Sequence, residues 1–342
     1  MTNDQKAAIA LITDAQHIVI IQAENPDGDS LGSSLALEEI LGDLGKKITL
    51  YCPVDIPKYL RYAPGWDRVT SDFPQGIDAS IIVDTASKTL LEKALIPENL
   101  AQINSHPVLV IDHHVTQSDL PFAHTALADS TAVATGEMIF DLATAANWGI
   151  NAQAAEHMAM SILSDSLGLT TEGTTPKTVA TVAELMRRGA SISNLENRRR
   201  EFMKKSPEIL AYKGALLERI EYYVDGQLAL VHIPWEEIAQ YSDQYNPSML
   251  VIDEMRLVEG VRLAVAIKTY PDGKITAKIR ANADAKVAEV VAGYFGGGGH
   301  PYAAGFRAYE SYDTIVTELI TAVDKILKEY DTSHAPAPQH PN

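Results

Sequence analysis

Residues 22 to 32 read QAENPDGDSLG and crowd three carboxylates, Glu24, Asp27 and Asp29, around a Pro-Gly turn. Like charges this close repel and raise one another's pKa unless something positive neutralises them. More acids and imidazoles follow. Asp84 closes the apolar stretch DASIIVD, Asp112-His113-His114 closes HPVLVID, and Asp165 lies in SILSDSLGL after an apolar helical run. An aspartate after a strand is often only an N-cap for the next helix, and a His-His pair alone more often lies in a surface loop than on a metal. The combination reads differently. Isolated buried carboxylates are costly, and burying several together makes sense mainly around cations. Aspartate with histidine suits Mn²⁺ or a similar ion, with Mg²⁺ and Zn²⁺ as alternatives. Two such ions about 4 Å apart form a device for hydrolysing phosphate esters.

The elements that must position these groups are legible as patterns. HIVIIQ (17–22), KKITLYC (46–52), DASIIVD (78–84) and HPVLVID (106–112) are short, apolar and β-branched, as buried strands are. Helical patterns at 33–44 and 88–95 separate them, so a parallel sheet covered on both faces is expected, with ligands beyond the carboxyl ends of its strands. From 131 to 222 the pattern is helical. Strands return at 227–233, 261–269 and 274–280, the last two flanking the hairpin turn YPDG. A Gly-rich loop, a helix at 312–329 and a proline-rich tail expected to be disordered follow. The expected fold is α/β: a parallel-sheet catalytic domain (1–192), a helical connector (193–224), a smaller α+β domain (225–330) and the tail (331–342).

Composition narrows the partners. At 342 residues the chain exceeds what one core usually serves, which favours two domains. A net charge of -17 argues against a duplex-wrapping protein, which would carry a basic footprint. The single cysteine, Cys52, excludes an intrachain disulfide and any cysteine-based zinc cluster. No apolar run approaches a membrane span, and MTNDQKAAIALITDAQ lacks the pattern of a signal peptide, so a cytoplasmic protein away from membranes is expected.

ENPDGDSLGS, IIVDTAS, VLVIDHH and ILSDSLGL, in that order, resemble the four motifs of the DHH phosphoesterase family, and YFGGGGHPYAAGF (294–306) resembles the signature of its C-terminal DHH-associated domain. The likeness spans roughly 15 to 325. The length and two-domain layout are similar to the branch of short oligoribonucleases and 3'-phosphoadenosine-5'-phosphate phosphatases. The resemblance implies two Mn²⁺ ions, with Mg²⁺ as the alternative. Asp27 would ligate one ion and Asp29 the other, Asp84 would bridge them, and His113 and Asp165 would complete the second site. His114 would face the scissile phosphate, making Asp84 and His114 the catalytic pair. Gly297, Gly298, Gly299, His300 and Arg280 would bind substrate; a guanidinium suits bidentate phosphate recognition.

The expected substrates are short oligoribonucleotides or a mononucleotide bisphosphate, with a cyclic-dinucleotide phosphodiesterase as the alternative within the same chemistry. A homodimer is left open. One departure keeps a non-catalytic nucleotide-binding protein as a rival: the family pattern has a histidine where this chain has Ala23, so the ion at Asp27 and Asp84 is expected to bind more weakly. Water, Gln22 or Glu24 are the candidate substitutes. The run Arg198-Arg199-Arg200 reads as a solvated helix face, and His17 has no evident partner.

Overall fold

A computed structural model describes residues 1–114 and 118–334. The chain divides into two units, Met1–Lys204 and Lys205–Asn342. The division falls inside the segment 193–224 expected as a connector.

In the first unit the elements are α1 (Asn3–Asp14), β1 (His17–Ile21), α2 (Gly28–Asp43), β2 (Lys47–Tyr51), β3 (Ala79–Val83), α3 (Pro97–Asn104), β4 (Val108–Asp112), β5 (Thr125–Ala128), α4 (Thr135–Ala145), α5 (Ala152–Asp165), α6 (Pro176–Arg187) and α7 (Ile192–Phe202). The strands form one parallel sheet in the order β2-β1-β3-β4-β5. Alternate residues of β1 feed two cores: Ile18 and Ile20 pack with Leu31, Leu35 and Met158 on one face, and Val19 and Ile21 pack with Ile82, Ile103 and Phe122 on the other. Each fully buried Leu or Ile contributes roughly 1.5–3 kcal/mol. The strand order reverses between β1 and β3, the switch point where open α/β sheets leave a crevice beyond the strand ends.

Several expected boundaries shift. Residues 88–95 are not a helix. They close only a 3₁₀ turn at Thr89–Leu91, and the helix begins at Pro97, whose fixed φ and missing N–H suit a first turn. α2 starts at Gly28, not 33, because Asp27 caps it: Oδ1 of Asp27 accepts from the Asp29 and Ser30 amides, each at 3.0 Å. Asp29 therefore sits on the first helical turn. α2 lies so close to α5 that a Cβ on Gly32 would come within 2.7 Å of the His157 carbonyl oxygen.

The second unit holds α8 (Pro207–Glu218), β6 (Glu221–Tyr223), β7 (Leu228–Ile233), α9 (Trp235–Tyr241), α10 (Ser248–Met255), β8 (Leu263–Thr269), β9 (Ile275–Ala281), α11 (Ala288–Tyr294), β10 (Gly298–His300), β11 (Ala303–Ala308) and α12 (Tyr312–His334). Its mixed sheet runs β10-β11-β9-β8-β7-β6. β8 and β9 form the hairpin read from YPDG. The GGGGH stretch is more than a loop: Gly298–His300 pairs antiparallel with Ala303–Gly305. Gly299, at φ 147, accommodates this tight hairpin, since a Cβ there would lie 2.5 Å from the Ala303 carbonyl oxygen. α12 runs on to His334, so 331–334 of the expected tail are helical, and the remainder of that tail lies outside the described residues. Among the described residues no helix is long and apolar enough to cross a membrane.

Candidate metal and phosphate sites

The carboxyl ends of β1, β3 and β4, with the end of α5, bring three acids and an imidazole together. Nε2 of His113 lies 3.5 Å from Asp29, 3.4 Å from Asp84 and 3.2 Å from Asp165, measured to carboxylate oxygens. It is buried and makes no well-directed hydrogen bond to any of them. Nδ1 of His113 faces the Ala132 carbonyl oxygen at 3.4 Å. A proton on Nδ1 leaves the Nε2 lone pair aimed at the middle of three carboxylates, the arrangement of a metal-ligating histidine anchored by a backbone acceptor.

Electrostatics point the same way. Burial, with Asp29 close by, pushes the Asp84 carboxyl well above its usual range. Burial likewise lifts Asp165 to about 6, against the pull of His113. Burial opposes charge on His113, yet Asp165, Asp84 and Asp29 together carry its pKa to about 11. The cluster thus recruits a proton to do what a cation would do better. Two overlapping groups, Asp29-His113-Asp165 and Asp84-His113-His114, have ligand atoms within 4.8 Å of one another. Oxygen and imidazole donors at this density fit a divalent cation such as Mn²⁺ or Mg²⁺.

Asp29 is fully buried, and its carboxylate oxygens accept from groups not picked out from sequence. Its Oδ2 accepts from the Thr135 amide at 2.7 Å. Its Oδ1 accepts from Ser161 Oγ at 2.6 Å, Ser33 Oγ at 2.9 Å and the Gly136 amide at 3.3 Å. Thr135 and Gly136 open α4, so unsatisfied amides and the positive end of the helix dipole face the carboxylate. The Thr135 hydroxyl also donates to Asp84 at 3.2 Å. Asp84 itself has a φ of 63, a left-handed conformation that is uncommon outside glycine and often found at functional sites. Asp112, at the end of β4, accepts from His114 Nδ1 at 2.7 Å, which fixes the tautomer and leaves Nε2 as the outward atom.

Asp27 is exposed, caps α2 and belongs to neither ligand group. Ala23 is buried, with its carbonyl 3.5 Å from Cys52 Sγ. Glu24 is turned towards Lys93, 3.4 Å away, and Gln22 is fully buried with neither amide atom hydrogen-bonded. Arg199 and Arg200 pair with Glu196, and Arg198 with Glu156. His17 is anchored after all, by Gly76 and Thr49.

In the second unit Arg280, Gly297, Gly298 and Gly299 line a cavity of about 830 Å³, together with Lys268, Lys278 and Arg307. His300 is exposed on β10. Burial lowers the Lys268 pKa to about 8, with repulsion from Lys278 adding to it. Lys278 is lowered by burial and then by Arg280. Ser248, which lines the same cavity, is buried with its hydroxyl unpartnered. The alternation in KITAKIR explains the face: Ile275, Ala277 and Ile279 turn to the core, while Lys278 and Arg280 turn to the cavity.

Residues 17–164 match the family model described as "DHH family, N-terminal domain". A Thermus thermophilus protein named "Bifunctional oligoribonuclease and PAP phosphatase NrnA" is 28% identical over 314 residues, covering 89% of this chain and 90% of that one. A Bacillus subtilis protein of the same name is 23% identical, covering 89% and 94%. Among solved structures, an exopolyphosphatase-related protein from Bacteroides fragilis superposes with a TM-score of 0.82 at 20% identity, covering 97% of this chain and 99% of that one.

Proposed function

Residues 17–164 belong to the DHH family, and from that premise we propose that this chain is a cation-dependent phosphohydrolase of short oligoribonucleotides that also removes a phosphate from 3'-phosphoadenosine-5'-phosphate. The observation that carries the reading is the His113 Nε2 atom centred among Asp29, Asp84 and Asp165. We assign Asp29, Asp84, His113 and Asp165 to one cation and Asp27 with Asp84 to a second, weaker one, Mn²⁺ being preferred and Mg²⁺ the alternative. When bound, such cations neutralise the carboxylates and polarise the phosphoryl oxygens.

The chain's own residues do the remaining work. Thr135, Gly136, Ser33 and Ser161 donate to the Asp29 carboxylate and fix its orientation. Asp112 holds His114 so that its Nε2 is presented to a phosphate oxygen and can carry a proton there. Arg280, Lys268, Lys278 and Arg307 take a nucleotide phosphate, with the glycines of β10 allowing its close approach. A cavity of about 830 Å³ suits a ligand of nucleotide size, and a net charge of -17 disfavours long polyanions.

The test is a substrate panel with Mn²⁺: dinucleotides to pentanucleotides, 3'-phosphoadenosine-5'-phosphate, a linear and a cyclic dinucleotide, and a structured RNA of tens of nucleotides. Fast hydrolysis of the short linear substrates and the bisphosphate is expected. Preference for the cyclic dinucleotide would replace the substrate reading. No turnover on any member, with nucleotide binding intact, would leave a binding protein.

A further inference from the structure

Beside the acid-rich turn the first unit contains a second feature, a cavity of about 630 Å³. Asp27 and Gly28 line it, and so does Ser164, directly before Asp165. The rest is mainly apolar and aromatic, including Tyr59, Tyr62, Met160 and Leu167. Its volume falls within the range of about 300–1,000 Å³ typical of small-ligand pockets, and apolar walls with a few polar groups are the usual lining.

Three details indicate what it takes. Tyr59 is half exposed, and its hydroxyl donates to the Pro26 carbonyl at 3.3 Å, which pins the ring beside the acid-rich turn. Leu167 is 71% exposed on a loop where both it and Leu169 have positive φ, at 48 and 71. An apolar side chain held out to solvent by left-handed backbone, two residues past a proposed metal ligand, is the kind of strain that ligand clamps keep. The charged residues of the wall contributed by α7, Glu196 and Arg199, pair with each other at 2.7 and 3.0 Å. The lining therefore offers a ring face and methyl groups more than a hydrogen-bond code.

We propose that this cavity holds the nucleobase of the nucleotide whose phosphate is hydrolysed at the carboxylate–histidine cluster, with Tyr59 as its stacking platform and with little regard to base identity. The proposal rests on the nucleotide reading above and adds where the base goes and why sequence would not matter. Stacking tolerates any base because every base has a π face.

The experiment uses the full chain with Mn²⁺ and compares wild type with Tyr59→Phe, Tyr59→Ala and Met203→Trp, the last intended to fill the cavity. KM and kcat are measured for a dinucleotide and for the same molecule with an abasic ribose. Independently, quenching of a 5'-phosphorylated 2-aminopurine riboside reports base binding without turnover. Expected results are a KM for the dinucleotide raised about 10-fold or more in Tyr59→Ala and Met203→Trp with kcat kept, Tyr59→Phe near wild type, and an abasic KM that neither variant moves. Tyr59-dependent quenching in a wild type that hydrolyses nothing would support the pocket while removing the activity reading. Unchanged dinucleotide KM, equal effects on the abasic substrate, or quenching indifferent to Tyr59 would overturn the pocket, even in an active enzyme.

Discussion

The two units bury like charges of opposite sign. In the first, Asp29, Asp84 and Asp165 gather within hydrogen-bonding range of one imidazole, and burial drives the Asp84 and Asp165 carboxyls upwards. In the second, Lys268, Lys278, Arg280 and Arg307 share one cavity, and burial drives the Lys268, Lys278 and Arg280 pKa values downwards. Asp84 in one unit and Lys268 and Lys278 in the other resist ionisation for the same reason, loss of water first and repulsion from a like-charged neighbour second. A ligand of opposite charge would relieve each, a cation in one and an anion in the other. The difference lies in geometry. The acids converge from the end of β3, the start of α2 and the end of α5, far apart in sequence, onto one atom, which suits a point charge. The cations spread along one face of a sheet, which suits an extended anion.

The largest effect that would break this comparison is loss of Asp84. Asp84→Ala is expected to lower both bound cation and turnover by more than the about 10–100-fold that losing an outer-shell partner costs. Metal quantification after dialysis, with kinetics, checks it. Retention of two ions at a near-normal rate would remove the bridging assignment.

The next effect is proton linkage. With His113 at about 11 in the absence of a cation, its imidazole is charged at neutral pH, whereas a metal ligand must be neutral. Cation binding should therefore release a proton, and apparent affinity should rise with pH by up to about tenfold per unit below that value. Calorimetry in buffers of different ionisation enthalpy measures the proton count. Proton-independent binding would place the cation away from His113.

On the cationic side, Arg280→Ala is expected to raise KM about 10- to 100-fold, the range for hydrogen bonds to charged groups, and to leave cation content unchanged. Equal loss of metal would mean that Arg280 serves the first centre. A smaller effect sharpens the anionic side: Ala23→His should tighten the weaker cation about tenfold and raise turnover at low Mn²⁺. Two equally tight ions in the wild type would show that another residue supplies the missing ligand.

Much of this was readable from the linear chain because period and position carry it. Apolar β-branched runs ending in Asp84 and in Asp112-His113-His114 specify buried parallel strands with acids at their carboxyl ends, and a parallel sheet must gather those ends at one edge. The motif order supplied the rest of the acid set, including Asp165 at the far end of α5. Alternation in KITAKIR likewise separates core from cavity face, although Lys278 stands beside Arg280 without any motif to single it out. Residues 88–95 form no helix where one is expected, because eight residues of mixed pattern do not distinguish an α-helix from a 3₁₀ turn leading into Pro97.

What the chain by itself determined, then, is the inventory: strands, acids, imidazoles and glycines in an order that admits few chemistries. Tertiary structure alone decided how those groups are held. The Thr135 amide reaches Asp29 across 106 positions, Ser161 reaches it across 132, and Asp112 clamps His114 while His113 takes its acceptor from Ala132. Such contacts leave no local trace, because serine, threonine and a backbone amide look the same in sequence whether they face water or a buried carboxylate. Their value comes from packing, which removes water from around Asp29 and makes every donor on it count.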